Sequence, residues 1–187
     1  MRITNPEEYI ENRDTIANDW SEMFLKYYND IDWIYLPNIG EDIIEYIKTW
    51  ELNGFILTGG ENIGTNNSRD ITENAIIEYA SSKNYPLLGI CRGMQLIYQY
   101  YGGEIAIGDN NFSDFHVAKK HLITFYDETI QVNSYHNNYL IDKSKPIDLK
   151  IIGRSVHDDS IEAFVINNNL GLMWHPERKL GQQIKII

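Results

Sequence analysis

The chain predicts an α/β fold, a mostly parallel central sheet with helices on both faces and a strand-rich second half, and three observations carry that reading. Short apolar runs that meet glycine, GFILTGG at 54–60 and YPLLGI at 85–90, alternate with longer segments of helical periodicity. Those runs lack the polar alternation of a half-exposed strand, so both of their faces should be covered. From about Glu104 the texture changes to strand-like stretches separated by Asn, Asp and Gly turns.

The elements follow in order. After MRIT, Asn5 precedes Pro6, Glu7 and Glu8, and a capping side chain, a proline in the first turn and acids at the positive dipole end predict a helix running to about Tyr28. DWIYLP at 32–37 predicts a short buried strand, EDIIEYIKTWEL at 41–52 an amphipathic helix, and GFILTGG a strand closed by a glycine turn. RDITENAIIEYASSKN at 69–84 is helical in pattern, YPLLGI is a buried strand, and RGMQLIYQYYGG at 92–103 is a helix ended by a glycine pair. HLITFYDETIQV (121–132), IDLKIIGRSV (147–156), SIEAFVINN (160–168) and LGLMWHP (170–176) supply the later strands. No linker, repeat or low-complexity segment divides the 187 residues, so one domain over 1–187 is expected.

Composition narrows the function. One cysteine among four Trp, 13 Tyr and six Phe excludes a disulfide-built secreted scaffold and fits a reducing, cytoplasmic compartment. A formal charge of −11 disfavours nucleic acid as a partner, because phosphate binding needs clustered Lys and Arg. The start has no apolar core behind its positive charge, and no run approaches the roughly 18 apolar residues of a membrane span, so neither a signal peptide nor a membrane partner is expected.

The single thiol, Cys91, lies in GICRG between Gly89 and Gly93, where a strand pattern gives way to a helix pattern. That is the layout of a nucleophile elbow, in which the side chain leaves the sheet edge near a helix N-terminus whose dipole favours the thiolate. Free Cys is more often a small core residue, and what reverses those odds is a partner. His175 ends an apolar strand in LGLMWHPE and Glu177 follows two residues on, on the same face of an extended chain, so a base and its orienting carboxylate are both available. Gly59 and Gly60 in ILTGG could present a backbone N–H to a neighbouring strand end, completing an oxyanion hole with the N–H of Arg92, although a plain glycine turn explains them equally well. His116, His121, His136 and His157 fit no short metal-binding signature, so solvated or hydrogen-bonded histidines and no metal are expected, with His136 the one to watch.

TGG at 58–60, GICRGMQ at 89–95 and WHPE at 174–177, in that order and spacing, resemble the class I glutamine amidotransferases over nearly the whole chain. Within that superfamily CRGMQ, SRDITE (68–73), HVAKKH (116–121) and VNSYHNN (132–138) are similar to the γ-glutamyl-γ-aminobutyrate hydrolase branch. The resemblance implies a flavodoxin-like three-layer sandwich. It implies Cys91 as nucleophile, His175 as base and acid, Glu177 as orienter, and Gly60 with Arg92 as oxyanion donors. It further implies Gly59, Gln95, Ser134, Tyr135 and His136 around the γ-glutamyl group; Arg69 and Glu73 either grip the ends of that group or form a helix-surface ion pair, which is worth little. Relative to the family, MRIT leaves little room for the usual first strand, few residues follow Glu177, and TGGENIGTNNSRD is shorter than in polyamine-catabolic members.

The activity so implied is cysteine-dependent hydrolysis of a γ-glutamyl amide through a glutamyl thioester, without a cofactor, on a small-molecule substrate. ENRDTIANDW near the start is similar to compact members that take glutamate from a nucleotide-activated phosphoramidate in capsular polysaccharide synthesis, which makes γ-glutamyl-CDP-amidate the leading substrate, with Arg2, Arg13, Lys119 and Lys120 as candidates to face a pyrophosphate. A glutaminase subunit feeding ammonia to a synthase, a non-catalytic binding module and a homodimer stay open.

Overall fold

The structure, a computed structural model, describes residues 1–4 and 11–178. The chain runs β1 (Arg2–Thr4), β2 (Arg13–Thr15), α1 (Asn18–Tyr27), α2 (Ile43–Thr49), β3 (Phe55–Leu57), α3 (Asn67–Lys83), β4 (Leu87–Ile90), α4 (Arg92–Tyr100), β5 (Ile105–Ile107), α5 (Asn110–His116), β6 (Val117–Phe125), β7 (Glu128–Tyr135), β8 (Asn138–Leu140), β9 (Lys150–Ser155), β10 (Ile161–Ile166) and β11 (Asn169–Leu172). The central sheet has the order β3-β4-β11-β10-β9-β6-β7. β3, β4 and β11 pair in parallel and every later pairing is antiparallel, so β9 and β7 run with the first three strands and only β10 and β6 run against them.

Residues alternate across the sheet as a pleated strand requires. Leu87 packs with Ile43, Ile47, Ile76, Ile77, Met94 and Ile97 beneath α2, α3 and α4, whereas Leu88 and Ile90 face Trp20, Met23 and Phe24 of α1 together with Trp174. These are the three layers expected of an α/β sandwich.

Two expectations fail at the start of the chain. The helix expected from Asn5 begins only at Asn18; its proposed cap and first turn lie outside the described residues, and Arg13–Thr15 is a strand paired with Arg2–Thr4. The Asp14 carboxylate there accepts from the Asn38 N–H at 2.9 Å, tying this hairpin to the segment that precedes α2. DWIYLP joins no sheet among the described residues. Trp33 stacks on Phe24 with centroids 5.1 Å apart and the Tyr35 hydroxyl meets that of Ser21 at 2.6 Å, so the segment packs its half-buried aromatics against α1 and leaves β3 as the sheet edge.

Where β4 turns into α4 the packing is close enough to require glycine. A Cβ on Gly89 would come within 2.6 Å of the Gly93 carbonyl carbon, and one on Gly93 would strike the carbonyl oxygen of Leu57. Neither obstacle is a flexible side-chain end. Gly93→Ala is expected to cost about 1–3 kcal/mol through forced backbone movement, read as a lower urea midpoint at unchanged m-value; a loss below about 0.5 kcal/mol would contradict this packing.

Candidate active site

Cys91 has φ 51° and ψ −104° between β4 and α4. A branched-off Cβ in that region carries strain of order 1–3 kcal/mol, which persists only if the surroundings hold it. Here the Cys91 N–H donates to Leu172 O at 2.8 Å, its carbonyl accepts from the Gln95 N–H at 3.1 Å, and the two flanking glycines let helix and strand close around it. The elbow expected from GICRG is therefore present, with the thiol buried at the carboxyl edge of the parallel strands.

The histidine reaches that edge from the neighbouring strand. β11 stops at Leu172, and Trp174, wholly buried, anchors the turn that follows. The side-chain amide of Asn133 in β7 then pairs with the His175 backbone in both directions, donating to its carbonyl and accepting its N–H, each at 2.8 Å. The His175 ring stands against Gly59, where a Cβ would lie 2.6 Å from its Cε1 and 3.5 Å from the Cβ of Cys91. His175 Nδ1 donates to Glu177 Oε1 at 2.6 Å. The contact arises in a turn, closed by the Arg178 N–H to His175 O at 3.2 Å, and not in the extended chain expected from sequence.

The electrostatics of the pair follow from these partners. Burial pushes the Cys91 thiol up, but the hydrogen bond and charge of His175, the charge of His136 and the Arg92 N–H more than offset it, so the thiol lies below its ordinary value. Burial lowers His175, and its hydrogen bonds to Cys91 and Glu177 outweigh that and raise it to about 9. A thiolate facing an imidazolium is the form these shifts favour.

The other expected residues divide. His136 is buried near Cys91, and Tyr135 stands edge-on to His175 with centroids 5.7 Å apart beneath the guanidinium of Arg178. Gln95 is buried, accepting from Asn138 Nδ2 at 3.3 Å, while the Ser134 hydroxyl is turned to His116 O at 2.6 Å. Arg69 and Glu73 form no surface pair: both are buried below the glycine loop, joined at 2.8 Å, and Arg69 also donates to Thr58 O at 2.8 Å and Gly59 O at 3.2 Å. Glu73 and Asp70 in turn hold the buried Arg92 side chain. This network ties the loop of Gly59 and Gly60 to the residue that follows the cysteine. Sequence reasoning missed Asn133, whose neighbours in VNSYHNN were singled out, and Glu162, which reads as an ordinary strand residue.

Residues 9–187 match the glutamine amidotransferase class-I family, and the chain belongs to it. Among its relatives, the gamma-glutamyl-CDP-amidate hydrolase of Campylobacter jejuni subsp. jejuni is 32% identical over 97% of this chain and 89% of its own. Crystal structures of glutamine amidotransferases from Thermotoga maritima (TM-score 0.64, 18% identity, 84% of this chain and 69% of that one) and Methylobacillus flagellatus (TM-score 0.60, 16% identity, 86% and 65%) share the fold. Among the described residues no helix is long and apolar enough to cross a membrane.

Proposed function

We propose that this chain hydrolyses a γ-glutamyl amide through a thioester on Cys91, with γ-glutamyl-CDP-amidate as its substrate and capsular phosphoramidate synthesis as its setting. The observation that carries the reading is the meeting of Cys91, His175 and Glu177 at one sheet edge, with the thiol depressed and the imidazole raised. The Campylobacter relative supports the choice of substrate.

In this reading the Cys91 thiolate attacks the γ-carbonyl carbon. Its π electrons move to oxygen, and the Gly60 and Arg92 N–H groups receive that oxyanion, each such donor worth about 2.7–4 kcal/mol. The trans peptide geometry supports Gly60: Arg69 draws the Gly59 carbonyl to one side, so the Gly60 N–H points to the other. The tetrahedral species collapses as the C–N bond breaks and His175 gives its proton to the leaving nitrogen. Water then loses a proton to His175, attacks the thioester and frees L-glutamate and the thiolate. Arg2 supports a phosphate-bearing leaving group, since its Nε lies 3.6 Å from where a Cβ of Gly60 would stand.

The test is glutamate release from L-glutamine, γ-glutamyl-γ-aminobutyrate and γ-glutamyl-CDP-amidate by the full chain. We expect the CDP-amidate to be preferred in kcat/KM by a factor of ten or more, and Arg2→Ala to erode that preference. Equal or greater turnover of glutamine would overturn the substrate assignment in favour of an ammonia-supplying glutaminase. No turnover of any of the three would overturn hydrolysis by the isolated chain.

A further inference from the structure

Four buried side chains converge beside Cys91, and of these only His136, whose charge helps to lower the thiol, touches the chemistry described above. His116 ends α5, His121 lies in β6, His136 follows β7 and Glu162 lies near the start of β10, and their exposures are 0%, 9%, 3% and 0%. The Glu162 carboxylate sits at their centre. Its Oε1 is 3.6 Å from His116 Nδ1 and 3.4 Å from His136 Nε2, and its Oε2 is 3.5 Å from His121 Nε2. Among the described residues, each of those three nitrogens, and Glu162 Oε2, lacks a hydrogen-bond partner.

We propose that His116, His121, His136 and Glu162 form a binding site for one divalent transition-metal ion, with zinc the ion their donor set fits best. Three arguments carry it. The first is tautomeric. His116 Nε2 meets Asp158 Oδ2 at 2.9 Å and His136 Nδ1 meets Asn138 O at 2.9 Å, so each ring spends its N–H on an acceptor and turns a lone pair toward Glu162. Lone pairs aimed at a carboxylate repel unless a cation stands between them, and a carboxylate or carbonyl behind each ligating imidazole is the usual arrangement around a metal.

The second argument is spacing. Ligands at about 2.0–2.2 Å from a tetrahedral zinc are separated by about 3.3–3.6 Å, the range of the three carboxylate–imidazole separations above, and the ligand atoms of His116, His136 and Glu162 all lie within 4.8 Å of one another. The third is charge: Glu162 and Asp158 bring two negative charges to three imidazoles, and one dication balances them where otherwise two buried imidazoliums would be required. Phe112 closes the group, stacked on His116 with centroids 4.0 Å apart and edge-on to His136 at 5.7 Å. His116, His136 and Glu162 supply the core of the site and His121 joins it at Glu162 Oε2, so with the Phe112 ring over it the site would close in the manner of a structural zinc centre. It would fasten α5, β6 and β10 to the segment that carries Ser134, Tyr135 and His136.

The experiment uses the untagged full chain, so that no added histidines compete. After chelator treatment and its removal the protein is titrated with Zn²⁺ and, separately, with Co²⁺, while bound metal, visible absorption and thermal midpoint are followed. One equivalent per chain, a tetrahedral Co²⁺ d–d spectrum without a thiolate-to-metal band, and a midpoint that rises by several degrees on loading are expected. Cys91→Ala should keep all three, while Glu162→Gln and the milder His121→Gln should weaken binding at least tenfold. No binding by the chelator-treated wild type would overturn the site in favour of a protonated histidine cluster. Binding that Cys91→Ala abolishes and both ligand variants retain would place the ion at the catalytic pair and overturn it equally.

Discussion

Replacing Cys91 by alanine is expected to lower γ-glutamyl amide cleavage by about 10⁶-fold, the scale seen when a triad nucleophile is removed, or about 8 kcal/mol of barrier. The size follows from what the residue does in the proposed reaction. It supplies the bond that divides one difficult hydrolysis into two easier steps, and neither His175 nor the backbone donors can form that bond. Structurally the exchange is mild, since alanine keeps the Cβ already accommodated at φ 51° and removes only a sulfur whose partners are His175 and the Arg92 N–H. The variant should therefore fold and still bind substrate. Acid-quenched wild type should carry a glutamyl adduct on Cys91 by mass spectrometry, and the variant none. Activity within tenfold of wild type would mean that the thiol is not the nucleophile, whatever its geometry.

The elbow at Cys91 is legible in the sequence because its requirements are local. A strained residue between strand and helix needs glycine where the two backbones touch, and Gly89 and Gly93 are written around Cys91 for that reason. The same holds for GFILTGG and YPLLGI, whose apolar runs announce covered strands. What escaped was decided by partners distant in the chain. DWIYLP has the composition of a buried strand, yet α1 offered its aromatics a better surface than the sheet offered its backbone. β5 and β8 form a two-stranded pair apart from the main sheet, and the short α5 begins at an Asp109 cap that the sequence reading passed over.

Charged residues show the limit most clearly. Arg69 and Glu73 stand four apart on a helix, which in sequence is the sign of a solvated pair; burial beneath the glycine loop turns them into its support, where losing one partner leaves a charge stranded. His116, His121, His136 and Glu162 carry no metal signature because three antiparallel pairings, β10 to β9, β9 to β6 and β6 to β7, and a register shift between Val117 and Lys119 bring them together. Asn133 was hidden for a related reason: its role is to hold another strand's backbone, and nothing in VNSYHNN tells which asparagine is free to do so.

The second large effect is expected from Glu177→Gln, and it is read in the pH profile. In the wild type, activity should rise at low pH as the depressed Cys91 thiol ionises and fall near pH 9 as the His175 imidazolium loses the proton it must give to the leaving nitrogen. Glutamine keeps the size of the side chain but removes the charge that raises His175, so the alkaline limb should move toward neutrality. The rate at the optimum should fall by about 10²–10⁴-fold, since a neutral amide can also settle the ring in the wrong tautomer. Stability shares the sign. A raised His175 contributes most below its unfolded value of about 6.5 and loses that contribution as pH climbs through 9, so Glu177→Gln should narrow the difference in stability between pH 6 and pH 10. A merely structural carboxylate would lower the rate without moving the alkaline limb, and an unmoved limb beside a reduced rate would separate Glu177 from the proton on His175.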